Sequence, residues 1–188
     1  VGYYGTTARA SGRGMTELVR VHRDTGVIRV PLTRGLFAIV DDADAHLVLP
    51  YKWCAMPVPG GRNWYAVREV NDRLVPMHRA IYSPPPGKTV DHIDGDGLNN
   101  RRENLRAATQ QEQMRNRRPL MGKRSPYKGV MWRARPSYRA GGYWFAKITV
   151  SGRSTYRSAK TEIDAARLYN ALACEHFGEF ARLNEVPA

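Results

Sequence analysis

Two cysteines, Cys54 and Cys174, stand 120 residues apart in this 188-residue chain, and no Cys-x-x-Cys pair occurs. That excludes a disulfide scaffold, a thiolate zinc finger and a dithiol redox motif. Both read as ordinary buried thiols. Long apolar runs are also missing, so no segment is expected to span a bilayer, and no signal-peptide pattern is present. Acidic residues are few, 17 against 30 lysines and arginines, leaving a formal net charge of +13. A reduced, cytoplasmic compartment is the expectation.

The charge is unevenly placed. Residues 1–100 hold twelve basic and ten acidic side chains, residues 101–118 six and two, and residues 119–188 twelve and five. The excess therefore grows toward the C-terminus. A basic surface of this kind favours a polyanion, because each phosphate it neutralises releases counterions. With no basic amphipathic helix to suggest a membrane surface, nucleic acid is the expected partner, with no small-molecule substrate and a monomer favoured.

The elements suggest an α+β protein. Residues 1–15 are Gly-, Ser- and Arg-rich without periodicity and read as a flexible segment. Residues 16–75 form a β-rich region: Ile28, Val30 and Leu32 alternate, and Phe37 to Val40 make a buried run. Asp41 and Asp42 can cap a short helix through Leu49, and Tyr51 to Met56 with Asn63 to Val70 read as a hairpin. Residues 76–118 hold a short helix (Pro76 to Tyr82), then strand, loop, strand and helix: Lys88–Ile93, a loop to Glu103, Leu105–Thr109, and a helix from Gln110. Residues 119–125 read as a linker. Residues 126–188 hold three strand-like segments, Lys128–Arg135, Tyr143–Val150 and Arg153–Ser158. A helix from Thr161 to about Phe177 follows, with Thr161 and Asp164 as a capping-box-like start and Gly178 as its stop.

The most informative stretch is Val90-Asp91-His92-Ile93-Asp94-Gly95-Asp96-Gly97-Leu98-Asn99-Asn100-Arg101-Arg102, with Asn104 twelve residues after His92. Phosphodiester hydrolysis needs an activated water and neutralisation of the charge that develops at phosphorus. A carboxylate beside a histidine can supply a metal ligand and a proton acceptor for this. Adjacent strand residues point to opposite faces, so a bend must bring Asp91 and His92 to one phosphate. Asn104 is placed to hold the imidazole through a backbone or side-chain hydrogen bond. Asp94-Gly95-Asp96 by itself is a turn, since a calcium loop needs further spaced oxygens and a distal Glu. His78 reads as scaffold or a phosphate contact, and His22, His46 and His176 as ordinary surface or half-buried residues.

The run "DHIDGDGLNNRRENLRAAT" within Val90 to Asn116 resembles the HNH, or ββα-metal, nucleases, in particular the phage and bacterial homing-endonuclease branch. The resemblance implies a metal-dependent DNA endonuclease using one Mg²⁺ or Mn²⁺ and leaving 3′-hydroxyl and 5′-phosphate ends. It implies His92 as general base, Asn104 as its positioning residue, and Asp91 as a metal ligand. The last motif position, usually Asn or His, is Gln113, which offers the same carbonyl oxygen on a longer arm; Asn116, one turn on, is the alternative ligand. A protein whose nuclease site has weakened, acting as a sequence-specific DNA-binding protein, is the other reading.

In the last segment, Val130, Trp132, Ala134, Ala146, Ile148 and Tyr156 are apolar at even positions, while Arg133, Arg135, Lys147, Thr149, Arg153 and Arg157 are polar or cationic at odd ones. One face is expected to pack on the helix and the other to present arginines, which can read guanine edges in a major groove. The pieces "SPYKGVMW", "YWFAKI", "TEIDAARLYN" and "FGEFARLN" resemble the plant ethylene-response-factor (Apetala-type) DNA-binding domain. Arg157 stands where that family has glycine and Ala159 where it has phenylalanine. The expected DNA contacts are Arg115, Arg117, Arg118, Lys128, Arg133, Arg135, Lys147, Arg153 and Arg157.

Overall fold

The computed structural model describes residues 21–22, 26–58, 63–118, 124–139 and 141–187. The segment 1–15 and most of the linker 119–125 lie outside the described residues. The chain divides into two compact units, one ending at Ala107 and one beginning at Ala108. The class is α+β: several small sheets with a few short helices and one long one.

In the N-terminal unit, β1 (Val21–His22), β2 (Val27–Pro31) and β3 (Phe37–Asp41) form one antiparallel sheet. Alternation buries Ile28, Val30, Ala38 and Val40 on one side, as the pattern requires. After a 3-10 turn at Asp42–Asp44 comes α1 (Ala45–Val48). A second antiparallel sheet joins β4 (Cys54–Pro57), β5 (Trp64–Val70) and β6 (Arg73–Pro76). The strand β6 was not expected. Its turn, Asn71-Asp72, has positive φ at both residues (49° and 58°), the two-residue geometry that matches strand twist. Then follow α2 (Met77–Ile81) and the pair β7 (Thr89–His92) and β8 (Leu105–Ala108).

One core joins these pieces: Ile28, Val40, Val48, Trp53, Met77, Ile81, Val90 and Leu105 pack together. Each such side chain contributes roughly 1.5–3 kcal/mol on burial. Trp53 satisfies its indole by donating to the Val48 carbonyl at 2.8 Å. The boundary expected near residue 75 lies inside this unit.

The C-terminal unit starts with α3 (Gln110–Asn116), opened by a full capping box in which the Thr109 hydroxyl accepts from Glu112 N and Glu112 Oε2 accepts from Thr109 N at 2.7 Å. Its sheet is ordered β11-β10-β9, from β9 (Val130–Ala134), β10 (Gly142–Val150) and β11 (Arg153–Ala159), all antiparallel. Across it lies α4 (Glu162–Phe177), with Ala146, Ile148, Tyr169, Leu172 and Ala173 buried between them. Thr161 caps α4 by accepting from Asp164 N at 3.0 Å, and Gly178, at φ 52°, ends it.

Both cysteines are exposed, contrary to expectation. Cys54 occupies an outward position of β4 and Cys174 the outer side of α4, where neighbouring Ala55 and Ala173 take the buried places.

Candidate active site

His92 is the last residue of β7, at the mouth of a loop that returns at Asn104. That loop is tied down at many points. Ile39 of β3 donates to Leu98 O at 2.8 Å and accepts from Asn100 N at 2.7 Å, so the loop extends the first sheet as a short bridge. Arg102 makes a two-pronged pair with buried Asp44 at 2.7 and 2.8 Å, and Arg101 meets Asp41 at 2.9 Å. Asn63, just before β5, donates to Gly95 O at 3.0 Å and accepts from Gly97 N at 3.1 Å. Gly97 is needed here because a Cβ would sit 2.4 Å from the Trp64 carbonyl and 2.4 Å from the Tyr65 ring. Asp94-Gly95-Asp96 is the turn its composition suggested: Asp96 N donates to Asp94 Oδ1 at 2.8 Å, with Gly95 at φ 74°.

Asn104 is the centre of this loop. Its carbonyl accepts from Ile93 N at 2.9 Å, its Oδ1 accepts from Asp94 N at 3.0 Å, and its Nδ2 donates to Asp94 Oδ1 at 2.9 Å and Asn99 O at 2.7 Å. It therefore holds the backbone immediately after His92. Among the described residues its bonds do not include the imidazole itself. One side chain that meets the imidazole is Asn100, whose Oδ1 lies 3.3 Å from His92 Nε2.

Asp91 and His92 are both buried, and each has its own surroundings. Asp91 Oδ2 accepts from Arg106 Nε at 3.0 Å and also pairs with Nη2 at 3.0 Å. His92 stacks on Tyr65 at 5.7 Å and meets the edge of His78 at 5.1 Å, while Tyr65 and His78 meet at 5.4 Å. Burial lowers the His92 pKa below the ordinary histidine range, even though the Asn100 bond and the charges of Asp94, Asp91 and Asp96 pull the other way. A neutral imidazole at neutral pH can accept a proton. Burial, with the neighbouring His92 and Arg79, drives His78 down to about 3. Burial and the nearby Asp91 raise Tyr65 above the usual tyrosine value.

Asn100, Asn63, Tyr65 and Arg106 carried no motif signal that singled them out in the sequence. Gln113 belongs to the C-terminal unit, where its backbone N donates to Thr109 O at 3.0 Å. No group of three His, Cys, Asp or Glu that could hold a metal ion occurs among the described residues. A closed zinc-type cage does not fit that donor set. A hard cation that keeps several waters and takes one or two protein oxygens does, with Asp91 as the carboxylate.

The remaining expected contacts are all in the C-terminal unit. Met131, Arg133, Tyr143, Phe145, Lys147 and Tyr156 share the sheet face away from α4. Rings run across it from Tyr138 to Tyr143 (5.6 Å), to Phe145 (6.1 Å) and to Tyr156 (5.9 Å). Arg133 lies over Phe145, Arg135 over Tyr138 and Lys147 over Tyr156, at 5.2, 5.2 and 5.6 Å. The face assignment of β11 needs correction. Val150 pairs with Arg153 across the two-residue turn Ser151-Gly152, so even positions of β10 face the same way as odd positions of β11. Arg153 and Arg157 therefore stand on the α4 side, and Tyr156 on the open side. Lys128 also differs from expectation. Its ammonium donates to the Arg115 and Arg117 carbonyls at the end of α3, and burial with nearby Arg182 lowers its pKa to about 8. Arg115 itself lies over the Phe177 ring at 4.7 Å. For Arg117 and Arg118 the structure adds that both are exposed.

Residues 82–115, which span β7, the Asn104 loop, β8 and most of α3, match the model of an HNH endonuclease family. A mimivirus protein of Acanthamoeba polyphaga, named as an uncharacterized HNH endonuclease, is 33% identical over 160 residues, covering 81% of this chain and 77% of that protein. The chain belongs to the HNH endonuclease family. This gives it the nuclease class and, coarsely, DNA as the substrate. No solved structure matches it. No helix among the described residues is long and apolar enough to cross a membrane.

Proposed function

We propose that this HNH protein is a divalent-metal-dependent endonuclease that cuts double-stranded DNA, acts as a monomer, and is placed on its target by the C-terminal sheet. The observation that carries the reading is His92: a buried imidazole at a strand end whose burial favours its neutral form, adjacent to a buried carboxylate and at the mouth of a loop tied by Asn104.

In this reading His92 takes the proton of the attacking water, and the Asn104 loop keeps its backbone from shifting. Asp91 would hold the metal, Mg²⁺ or Mn²⁺, with Arg106 fixing the carboxylate's orientation; Gln113, on the motif alone, would add an amide oxygen, and Asn116 is the alternative. Such a metal supplies neutralisation of charge at the scissile phosphate. On the C-terminal unit, Arg133, Arg135 and Lys147 with the tyrosines between them would face the duplex, and Arg115, Arg117 and Arg118 would follow the backbone.

The test is conversion of a covalently closed plasmid to nicked or linear form with Mg²⁺ or Mn²⁺, abolished by a chelator. Duplex binding without cutting at any metal concentration would favour the second reading, a DNA-binding protein whose site is weakened at Gln113.

A further inference from the structure

We infer that Arg34 is a DNA-backbone contact of the N-terminal unit, holding a phosphate beside the loop that follows His92 and acting independently of the C-terminal sheet. This rests on duplex DNA being the substrate, as proposed above. A backbone that disfavours the residue, a ring that pins it and a missing counter-charge carry the argument.

Arg34 sits in the turn between β2 and β3 at φ 66° and ψ 20°, followed by Gly35 at φ 68°. Two successive residues at positive φ are the geometry for which Asn-Gly is the favoured pair, and a long side chain there brings its Cβ toward the following carbonyl. The turn is held on both sides. Leu32 N donates to Leu36 O at 2.8 Å, and Ala55 N of β4 donates to Thr33 Oγ1 at 2.9 Å. Turn formation alone therefore disfavours arginine at this position, and backbone strain of this kind gathers at functional sites.

The Arg34 guanidinium lies over the Trp64 ring at 5.4 Å. Stacking uses the flat face of the group and leaves the N–H fork at its edge for a phosphate. The side chain is exposed, and among the described residues it has neither a carboxylate nor a hydrogen-bond partner. The arginines around the site loop differ in this respect: Arg101 is paired with Asp41 and Glu103, Arg102 with Asp44, and Arg106 with Asp91. Trp64 fixes where the unpaired cation stands. Its carbonyl crowds Gly97, Asn63 before it binds Gly95 and Gly97, and Tyr65 after it stacks on His92 at 5.7 Å. A duplex phosphate held by Arg34 therefore lies next to the site loop.

The test titrates binding of a random-sequence duplex oligonucleotide to the full-length protein across KCl concentrations, with a chelator present so that no cutting intervenes. Arg34→Asn suits the turn and removes the cation. It is expected to keep the urea unfolding midpoint at or above that of the wild type and to weaken binding about three- to tenfold. The slope of log K against log[KCl] should fall by about 0.9, the share of one phosphate. Arg34→Lys is expected to retain the slope. Arg73→Asn, which removes the same charge from β6, is expected to leave slope and affinity nearly unchanged. An Arg34→Asn protein with the wild-type slope overturns the inference, and a lower urea midpoint beside that slope would assign Arg34 to the turn alone. An equal loss for Arg73→Asn also overturns it, by making the effect one of bulk charge. The titration needs no cutting, so a wild type that binds but never nicks sinks the endonuclease reading alone, whereas a wild type without duplex affinity overturns both.

Discussion

Lowering the pH from 7 to 5 is expected to remove about 2 kcal/mol of stability through His78 alone. His78 is 8% exposed, its Nδ1 has no hydrogen-bond partner among the described residues, and its pKa is lowered from 6.5 to about 3. The causes, largest first, are burial, the neighbouring His92 and the charge of Arg79. Unfolded, the residue takes up its proton near pH 6.5; folded, it resists until about pH 3. Between those values the unfolded chain binds more protons, so acid favours unfolding, and the stabilising contribution present above pH 6.5 is lost as the pH falls. At 1.36 kcal/mol per unit, the 1.5 units between 6.5 and 5 give about 2 kcal/mol. Urea unfolding followed by tryptophan fluorescence at both pH values measures it, with His78→Phe as the comparison. The phenylalanine keeps a ring against Tyr65 and His92 and removes the orphaned nitrogen. Carboxylates away from His78 contribute alike to both proteins and cancel in the difference. The wild type should lose about 2 kcal/mol more than the variant between pH 7 and 5. Equal losses would refute the reasoning and show that His78 does not resist protonation in the fold.

Gly97→Ala places a Cβ against the Trp64 carbonyl and the Tyr65 ring; a stability loss of about 1–3 kcal/mol in urea unfolding is expected. Because Tyr65 stacks on His92, kcat for plasmid cutting should fall with it. Asp44→Ala removes the partner of Arg102; with the arginine side chain 54% exposed, the cost should be near the low end of about 1–3 kcal/mol for a charged hydrogen bond, read by the same titration. In the C-terminal unit, Arg133→Ala should relax sequence preference by roughly 1–3 kcal/mol at one base if the contact is bidentate. Arg157→Ala, on the α4 side, should leave that preference unchanged in competition binding.

Several features were legible because a short local signal decided them. The burial alternation of β2 and β3, the Thr161 cap and the Gly178 stop of α4 depend on neighbours in sequence, and the structure has them where the residues indicated. Asn104 was legible as a loop-return residue but not in its partners: the expected bond was to the imidazole, whereas its bonds go to Ile93, Asp94 and Asn99. What the sequence left hidden depends on register and on distant strands. Asn100 meets His92 only because β3 holds Leu98 and Asn100 on either side of Ile39. The parity of β11 reverses because the turn at Ser151-Gly152 has two residues, and one more or one fewer would have kept Arg153 and Arg157 with Lys147. Lys128 reads as a DNA contact by charge, whereas its ammonium donates to the carbonyls at the end of α3.

The most direct test of the central claim compares wild type with His92→Ala on a supercoiled plasmid in Mg²⁺ or Mn²⁺, under single-turnover conditions. A general base contributes typically about 10²–10⁴-fold, so the account predicts that the variant, folded and still bound to DNA, nicks at least about a hundredfold more slowly. Equal rates of nicking by the two proteins would contradict it.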